Sequence, residues 1–353
     1  MGVKKWIAMV LFCSVILSLS ACGNEKPEGS IEIQTMQQSD GESANLTQER
    51  EEKLTLRMGF STAESDPRVQ ASETFKRLVE KETEGRITVE LHAGGELGSD
   101  AELIKGVIYG DVDMTVSSAG NFANYVPKVG ASAFPFLFSD FEAAWEFVDG
   151  EEERQIEEEL EDYNIKVLAH FDNGFRCVTT SESVGPIHSV ADMSGIRIRT
   201  PENQIVMETL SALGADPYVM DFTKLYDALK SGEFDAQENP VPIIYNSKLY
   251  EVQSCLAVTN HSYDMMLFVI RDDIWDSLSE EEQQILQSAA LEAQKQDRET
   301  IQAQTTQYIN MLEEEGMTIT YPDLEEFREA TVGVYDYFAA SYGEELMERL
   351  KTY

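Results

Sequence analysis

Two arginines in the segment Gly195-Ile-Arg-Ile-Arg-Thr-Pro201 carry the clearest chemistry in the chain. Arg197 and Arg199 alternate with Ile196 and Ile198, the period of a strand, so both guanidinium groups leave the same face. Arg199 stands at the carboxyl end of that strand, and Pro201 is placed to open the next helix at its first turn. A guanidinium there can hold a carboxylate through two parallel, charge-assisted hydrogen bonds. The same residue equally suits a structural arginine paired with one of the protein's many Asp or Glu side chains. Composition alone leaves both readings standing.

Other chemistries lack their residues. His92, His170, His188 and His261 show no HExxH or paired metal-ligand spacing. There is no GxSxG elbow, no GxGxxG after a strand and no Walker-type phosphate loop. Paired carboxylates are plentiful only because the chain is acidic, so they make no case for a glycosidase. His170, inside an apolar strand, reads as a satisfied core residue, and Leu225, Tyr226 and Leu229 at helical spacing read as core. The expectation is a binding protein with no cofactor and no metal.

The elements that would position these arginines follow a β-α-β-α-β rhythm. It runs through strand Leu54–Phe60, helix Arg68–Thr83, strand Arg86–His92, helix Asp100–Tyr109 and strand Val112–Val116. A similar unit restarts with strands Ile165–His170 and Phe175–Thr180. It continues through strand Ile196–Arg199, helices Glu202–Leu213 and Phe222–Lys230, and strand Phe234–Gln237. Such alternation predicts parallel sheet flanked by helices, with ligands at the carboxyl ends of the strands. Ser279 and Glu282 form a capping box, and Gly316 is a natural stop, so one helix is expected from Ser279 to Glu315. At 1.5 Å per residue it would reach roughly 50 Å, enough to run behind two lobes.

The bulk properties fit this picture. A chain of 353 residues exceeds the size at which single cores stop growing. Its net charge of −38 disfavours nucleic acid, which needs a basic stripe. The runs Glu151–Glu153 and Glu157–Glu159 read as solvated helix faces. At the N-terminus, Lys4 and Lys5 precede the apolar stretch Trp6–Leu19, the pattern of an export signal. The stretch ends in Leu19-Ser20-Ala21-Cys22, which resembles the bacterial lipobox. That implies residues 1–22 as a lipoprotein signal peptide with Cys22 lipidated. The protein is then expected to be extracytoplasmic and lipid-anchored to the cell membrane, at a Gram-positive surface or in a periplasm. Residues 23–53 are polar and read as a flexible tether. Cys177 and Cys255 allow either one disulfide or two buried thiols.

Seven blocks, in order, carry a family resemblance: Gly94-Gly-Glu-Leu-Gly-Ser-Asp100, Ala133-Phe-Pro-Phe-Leu-Phe138, Ser189–Pro201, Ala212–Pro217, Phe222–Pro240, Lys248–Gln253 and Leu256–His261. From Leu54 onward the chain resembles the solute-binding component of tripartite ATP-independent periplasmic (TRAP) transporters, of the dicarboxylate- and sialic-acid-binding type. The resemblance implies an α/β, two-lobe periplasmic-binding-protein-like fold with a long helix spanning both lobes. Residues 54–173 and 264–304 would form lobe I, and 174–263 with 305–353 lobe II. Arg199 would then pair with the ligand carboxylate, Arg176 would be a second pocket arginine, Asn239 an amide contact and Phe222 an aromatic wall. Ser61, Asp100 and Ser118 would contribute polar contacts from lobe I. Where relatives often read Ala-Glu-Ser this chain has Ser117-Ser118-Ala119, one carboxylate fewer, which argues against sialic acid. Glu202, beside Pro201, either reaches the pocket, favouring a hydroxylated monocarboxylate over a dicarboxylate, or serves as an anion at a helix N-terminus. The implied partners are a small organic anion (a uronate, an aldonate or a dicarboxylate) and TRAP membrane permease subunits using an ion gradient. The alternative is a ligand-sensing lipoprotein that presents the same anion to a sensor kinase.

Overall fold

The computed structural model of the chain describes residues 53–353. The expected signal peptide, Cys22 and the tether up to residue 52 lie outside the described residues.

The first unit begins with β1 (Leu54–Gly59), whose Leu56 and Met58 are fully buried. Asp66 caps α1 (Pro67–Glu82) by accepting from the Arg68 amide, and Pro67 fills the first turn, where its missing N–H costs nothing. β2 (Ile87–His92), α2 (Asp100–Tyr109) and β3 (Met114–Ser118) follow, and α2 starts at a Ser99/Glu102 capping box. β1 pairs in parallel with both β2 and β3, as the alternation predicts. The short α3 (Ala119–Phe122) turns the chain away from the sheet into α4 (Phe141–Val148) and α5 (Glu151–Glu157).

The second unit contains β4 (Ile165–Thr180), β5 (Arg197–Thr200), α6 (Gln204–Ala212), β6 (Asp216–Val219), α7 (Leu225–Ser231), β7 (Ala236–Pro240) and α8 (Val241–Asn246). β5 pairs in parallel with β6 and β7. After β8 (Cys255–Arg271) come α9 (Asp272–Ser277), α10 (Glu280–Glu314), β9 (Thr318–Thr320), α11 (Leu324–Tyr342) and α12 (Glu344–Leu350).

Two long strands join the units into one nine-stranded mixed sheet, ordered β2-β1-β3-β8-β4-β7-β5-β6 with β9 on β8. β8 runs antiparallel to both β3 and β4, and β4 antiparallel to β7. The sequence pattern divides β4 into two strands, because Asp172-Asn173-Gly174 has the composition of a turn. Instead the register slips by one residue there, and Gly174 takes a φ of 103° that only glycine adopts freely. A second irregularity in β8 skips Val258–His261 and leaves Asn260 left-handed at φ 44°.

α10 takes the place expected of the long helix. Its 35 residues span roughly 52 Å at the standard rise. Leu286, Ala289, Ala290 and Ala293 pack into the first unit's core with Phe75 and Phe268, and Leu312 packs into the second unit's core with Leu225 and Ile244. One helix thus backs both units.

Two local expectations change, and one point the sequence left open is decided. α6 starts at Gln204 with Asn203 as its cap, so Pro201 precedes the helix; the Asn203 side chain wins because it accepts from two amides. Glu153 and Glu157 are buried, not solvated, because each finds a cation, Arg349 and His170 respectively. Cys177 and Cys255 are both free and buried, and burial pushes the Cys177 thiol up to about 11.

Candidate functional site

The β5 alternation separates its two arginines by environment more than by direction. Arg197 is exposed and forms two side-chain bonds with Asp235, at 3.0 and 2.8 Å. Arg199 is 1 % exposed. Its Nε and Nη2 both donate to the Met220 carbonyl, and the Phe222 ring lies 6.0 Å from its guanidinium carbon. Among the described residues no carboxylate pairs with it. Burial lowers its pKa to about 10 even though Glu238 pulls the other way.

Arg176, on β4, has the opposite situation. Its Nε donates to Glu238 Oε2 and its Nη1 to Asp264 Oδ2. Its Nη2 donates to Glu238 Oε1 and to the Glu238 carbonyl, both at 2.9 Å. Burial works against its charge, but Glu238 and Asp264 more than offset that and raise its pKa. Burial alone would raise Glu238; Arg176 and His261 overcome it and hold the carboxyl down to about 2. Thr200 Oγ1 also donates to Glu238, at 2.8 Å. Asp264 accepts from Ser118 Oγ at 2.5 Å and from Asn173 Nδ2 at 2.7 Å, and Asn173 accepts in turn from Arg68 at 3.1 Å. Asn239 is spent within the protein: its Oδ1 accepts from Arg176 at 3.3 Å and its Nδ2 donates to Gln237 at 2.5 Å.

This network lines a cavity of about 40 Å³ between the two units. Ser61, Asp100 and Ser118 face it from the first unit, and Arg176, Arg199, Phe222 and Asn239 from the second. Asp100, at the first turn of α2, accepts from Ser117 at 3.1 Å. Glu202 stands apart. It is exposed just before the α6 cap and lines an adjoining cleft of about 300 Å³ with Lys105, Tyr125 and, again, Arg199. Thr62 adds a buried hydroxyl on the cavity wall with no hydrogen-bond partner among the described residues.

A larger hollow of about 530 Å³ lies where β4 meets α10. Its cationic groups are already matched: His170 to Glu157 and Asp149, Lys166 to Glu161, Arg154 to Glu151. That hollow has no unpaired cation to offer, whereas the cavity at Arg199 does.

Sequence reasoning missed Arg68, Asn173 and Asp264. Arg68 had a signal: a cation in the first turn of α1 opposes the helix dipole and so needs a specific partner. Asp264 had one too, as a lone carboxylate inside the apolar run Tyr263–Ile270. Asn173 had none, because it lies in the segment that looks like a turn.

With that geometry, the chain matches the family described as bacterial extracellular solute-binding protein, family 7 (DctP), over residues 58–341. The chain belongs to that family. It is 34% identical over 277 residues to the 2,3-diketo-L-gulonate-binding periplasmic protein YiaO of Escherichia coli K12, covering 78% of this chain and 84% of that one. Among solved structures it superposes with TM-score 0.81 on a TRAP periplasmic solute-binding protein from Polaromonas sp. JS666 bound to D-erythronate, at 31% identity and covering 84% and 98% of the two chains. The sugar acid binding protein of Advenella mimigardefordensis in complex with galactonate gives 0.81 at 30% identity, covering 85% and 97%. The family gives the two units their meaning as the lobes of a TRAP-type binding protein, extracytoplasmic and not an enzyme. No helix among the described residues is long and apolar enough to cross a membrane.

Proposed function

We propose that this protein captures a sugar acid, an aldonate or uronate, by its carboxylate at Arg199 and delivers it to the permease subunits of a TRAP transporter. One observation carries the reading: of the three buried arginines in the cavity, Arg68 is paired with Asp66 and Arg176 is saturated by Glu238 and Asp264, while Arg199 has only a carbonyl and a ring. A buried guanidinium without a counter-ion is costly, and a ligand carboxylate removes that cost. The exposed Glu202 beside the cleft accepts hydrogen bonds from ligand hydroxyls and repels a second ligand carboxylate, which favours sugar acids over dicarboxylates. The sugar acids bound by the relatives support the same class.

From lobe II (174–263 and 305–353) Phe222 walls the cage and Arg176 and Asn239, engaged with the protein's own groups, form its floor, while Ser61, Asp100 and Ser118 contact the ligand from lobe I (54–173 and 264–304). The register slip at Asp172/Gly174 supports a hinge at that boundary. Cys22 anchors the mature protein to the membrane; Cys22→Ala protein that still sediments with membranes would refute this. The functional reading is tested by thermal-shift measurements with aldonates, uronates and four-carbon dicarboxylates. Stabilisation is expected from the first two groups. A response confined to the dicarboxylates would contradict it.

A further inference from the structure

A glycine on the rim of the cleft faces a locked side chain across it. We propose that this contact, Gly120 against Asn203, sets how far the lobes shut over the bound anion, so that Gly120 is a positioning residue for capture. The inference rests on the reading of Arg199 as the anion's anchor and concerns how the opposing lobe reaches it.

Gly120 lies in α3, two residues after Ser118 on β3, and its neighbour Asn121 lines both the cavity and the adjoining cleft. Asn203 caps α6, two residues beyond Pro201, which also lines both. A Cβ built on Gly120 would sit 2.1 Å from Asn203 Nδ2, 2.8 Å from its Cγ and 3.0 Å from its Cβ. Asn203 has little freedom to swing aside. It is 7% exposed, and its Oδ1 accepts from the amides of Ile205 at 3.0 Å and Val206 at 3.2 Å. The two lobes therefore meet at this point with room for a hydrogen atom and nothing larger.

The backbone of Gly120 does not itself require glycine, since it is not among the residues with positive φ. The three atoms nearest a new Cβ all belong to Asn203, on the other lobe. Alanine there suits a helical turn, and the nearest obstruction it meets is the Asn203 side chain. Opening at this point carries Asn121 and Ser118 away from Arg199, loosening the first lobe's grip on a ligand already paired to the second. A second close contact, Gly95 against Thr223 Cγ2 at 2.9 Å, borders Phe222. Gly95 has a φ of 74°, so substitution there would strain its own lobe and cannot isolate closure.

The experiment titrates the wild type, Gly120→Ala, Asn203→Gly and the double variant with galactonate, D-erythronate and D-glucuronate by calorimetry, alongside melting of the ligand-free proteins. Glycine is an accepted helix cap, so Asn203→Gly keeps α6 while clearing the contact. For an acid the wild type binds, Gly120→Ala is expected to bind at least about tenfold more weakly, because its closed state is less populated. Its ligand-free melting temperature should match or exceed the wild type's. The double variant should recover to within about threefold of Asn203→Gly, and only proteins that bind tightly should contract in small-angle scattering when ligand is added. Undiminished affinity in Gly120→Ala, or no recovery in the double variant, overturns the inference while leaving the ligand assignment intact. Failure of the wild type to bind any of the acids overturns the functional reading and this one with it.

Discussion

The cluster around Arg199 and the cluster beneath α10 are both rich in carboxylates, yet they leave groups of opposite charge without a direct partner. Beneath α10, Arg298 forms two bonds to Asp149 at 2.7 and 2.9 Å, and His170 lies between Asp149 at 3.1 Å and Glu157 at 2.9 Å. Every cation there has a carboxylate, and acids remain left over. Burial, reinforced by Asp172, raises Asp297 well above the usual carboxylate range, and burial lifts Asp172 itself to about 6. One oxygen of Asp297 accepts from the Asp172 amide at 2.7 Å and the other has no partner among the described residues. In the cleft, Glu238 and Asp264 both bond to Arg176, and the group left without a carboxylate partner is a cation, Arg199. A buried surplus of carboxyl groups is relieved by protons, whereas a buried surplus of guanidinium cannot shed its charge at physiological pH and is relieved by an anion. The two clusters thus show how one acidic chain makes both a pH-responsive frame and an anion site.

The largest effect that would sharpen this contrast is expected from Arg176→Met. It leaves Glu238 and Asp264 buried without their shared cation, a change that costs about 3–5 kcal/mol of stability. Urea unfolding should show that loss with an unchanged slope; an unfolding midpoint like the wild type's would mean the network is not held by Arg176.

A smaller effect is expected in the pH dependence of stability, where the clusters pull in opposite directions. Glu238 has a lowered folded pKa, so its contribution is present above 4.5 and is lost as pH falls toward about 2. Glu153, which burial and the neighbouring Glu157 raise to about 8, does the reverse: stability declines as pH rises from 4.5 toward 8. Burial lowers the His170 pKa, but Glu157 and Asp149 outweigh it and raise it to about 9, so its contribution is complete below 6.5 and disappears as pH rises through 9. Thermal melting across this range should therefore peak at about pH 5, on the acid side of neutrality. Glu153→Gln should flatten the decline between pH 4.5 and 8. A stability maximum on the alkaline side would show that the frame under α10 is not acid-rich in the way its geometry implies.

Much of the fold was legible because its signals are local. The parallel pairings of β1, β2 and β3 and of β5 with β7 follow from alternation, and α10 from its cap and stop, whereas β6 is a short strand between two helices where the sequence pattern shows none. The long strands β4 and β8 were not legible as such, since their irregularities put turn-like residues in mid-strand and their partners are distant in sequence. In the site, β-strand periodicity and the family resemblance brought Arg199, Arg176 and their neighbours to one cavity. What neither conveyed was the assignment of counter-ions. Arg176, Arg197 and Arg199 are the same residue type, and their fates were decided by Glu238, Asp264 and Asp235, which the fold delivers from other strands or loops. Glu157 likewise reads as a solvated charge until His170 is placed against it.

Arg199→Met, measured for both ligand affinity and ligand-free stability, separates an anion anchor from a structural arginine. It should behave oppositely to Arg176→Met: affinity for the sugar acid falls by at least about 100-fold, while the empty protein is as stable as the wild type or more so, because a buried unpaired charge has been exchanged for an apolar side chain. Retained affinity, or a loss of stability as large as that of Arg176→Met, would contradict the anchor role.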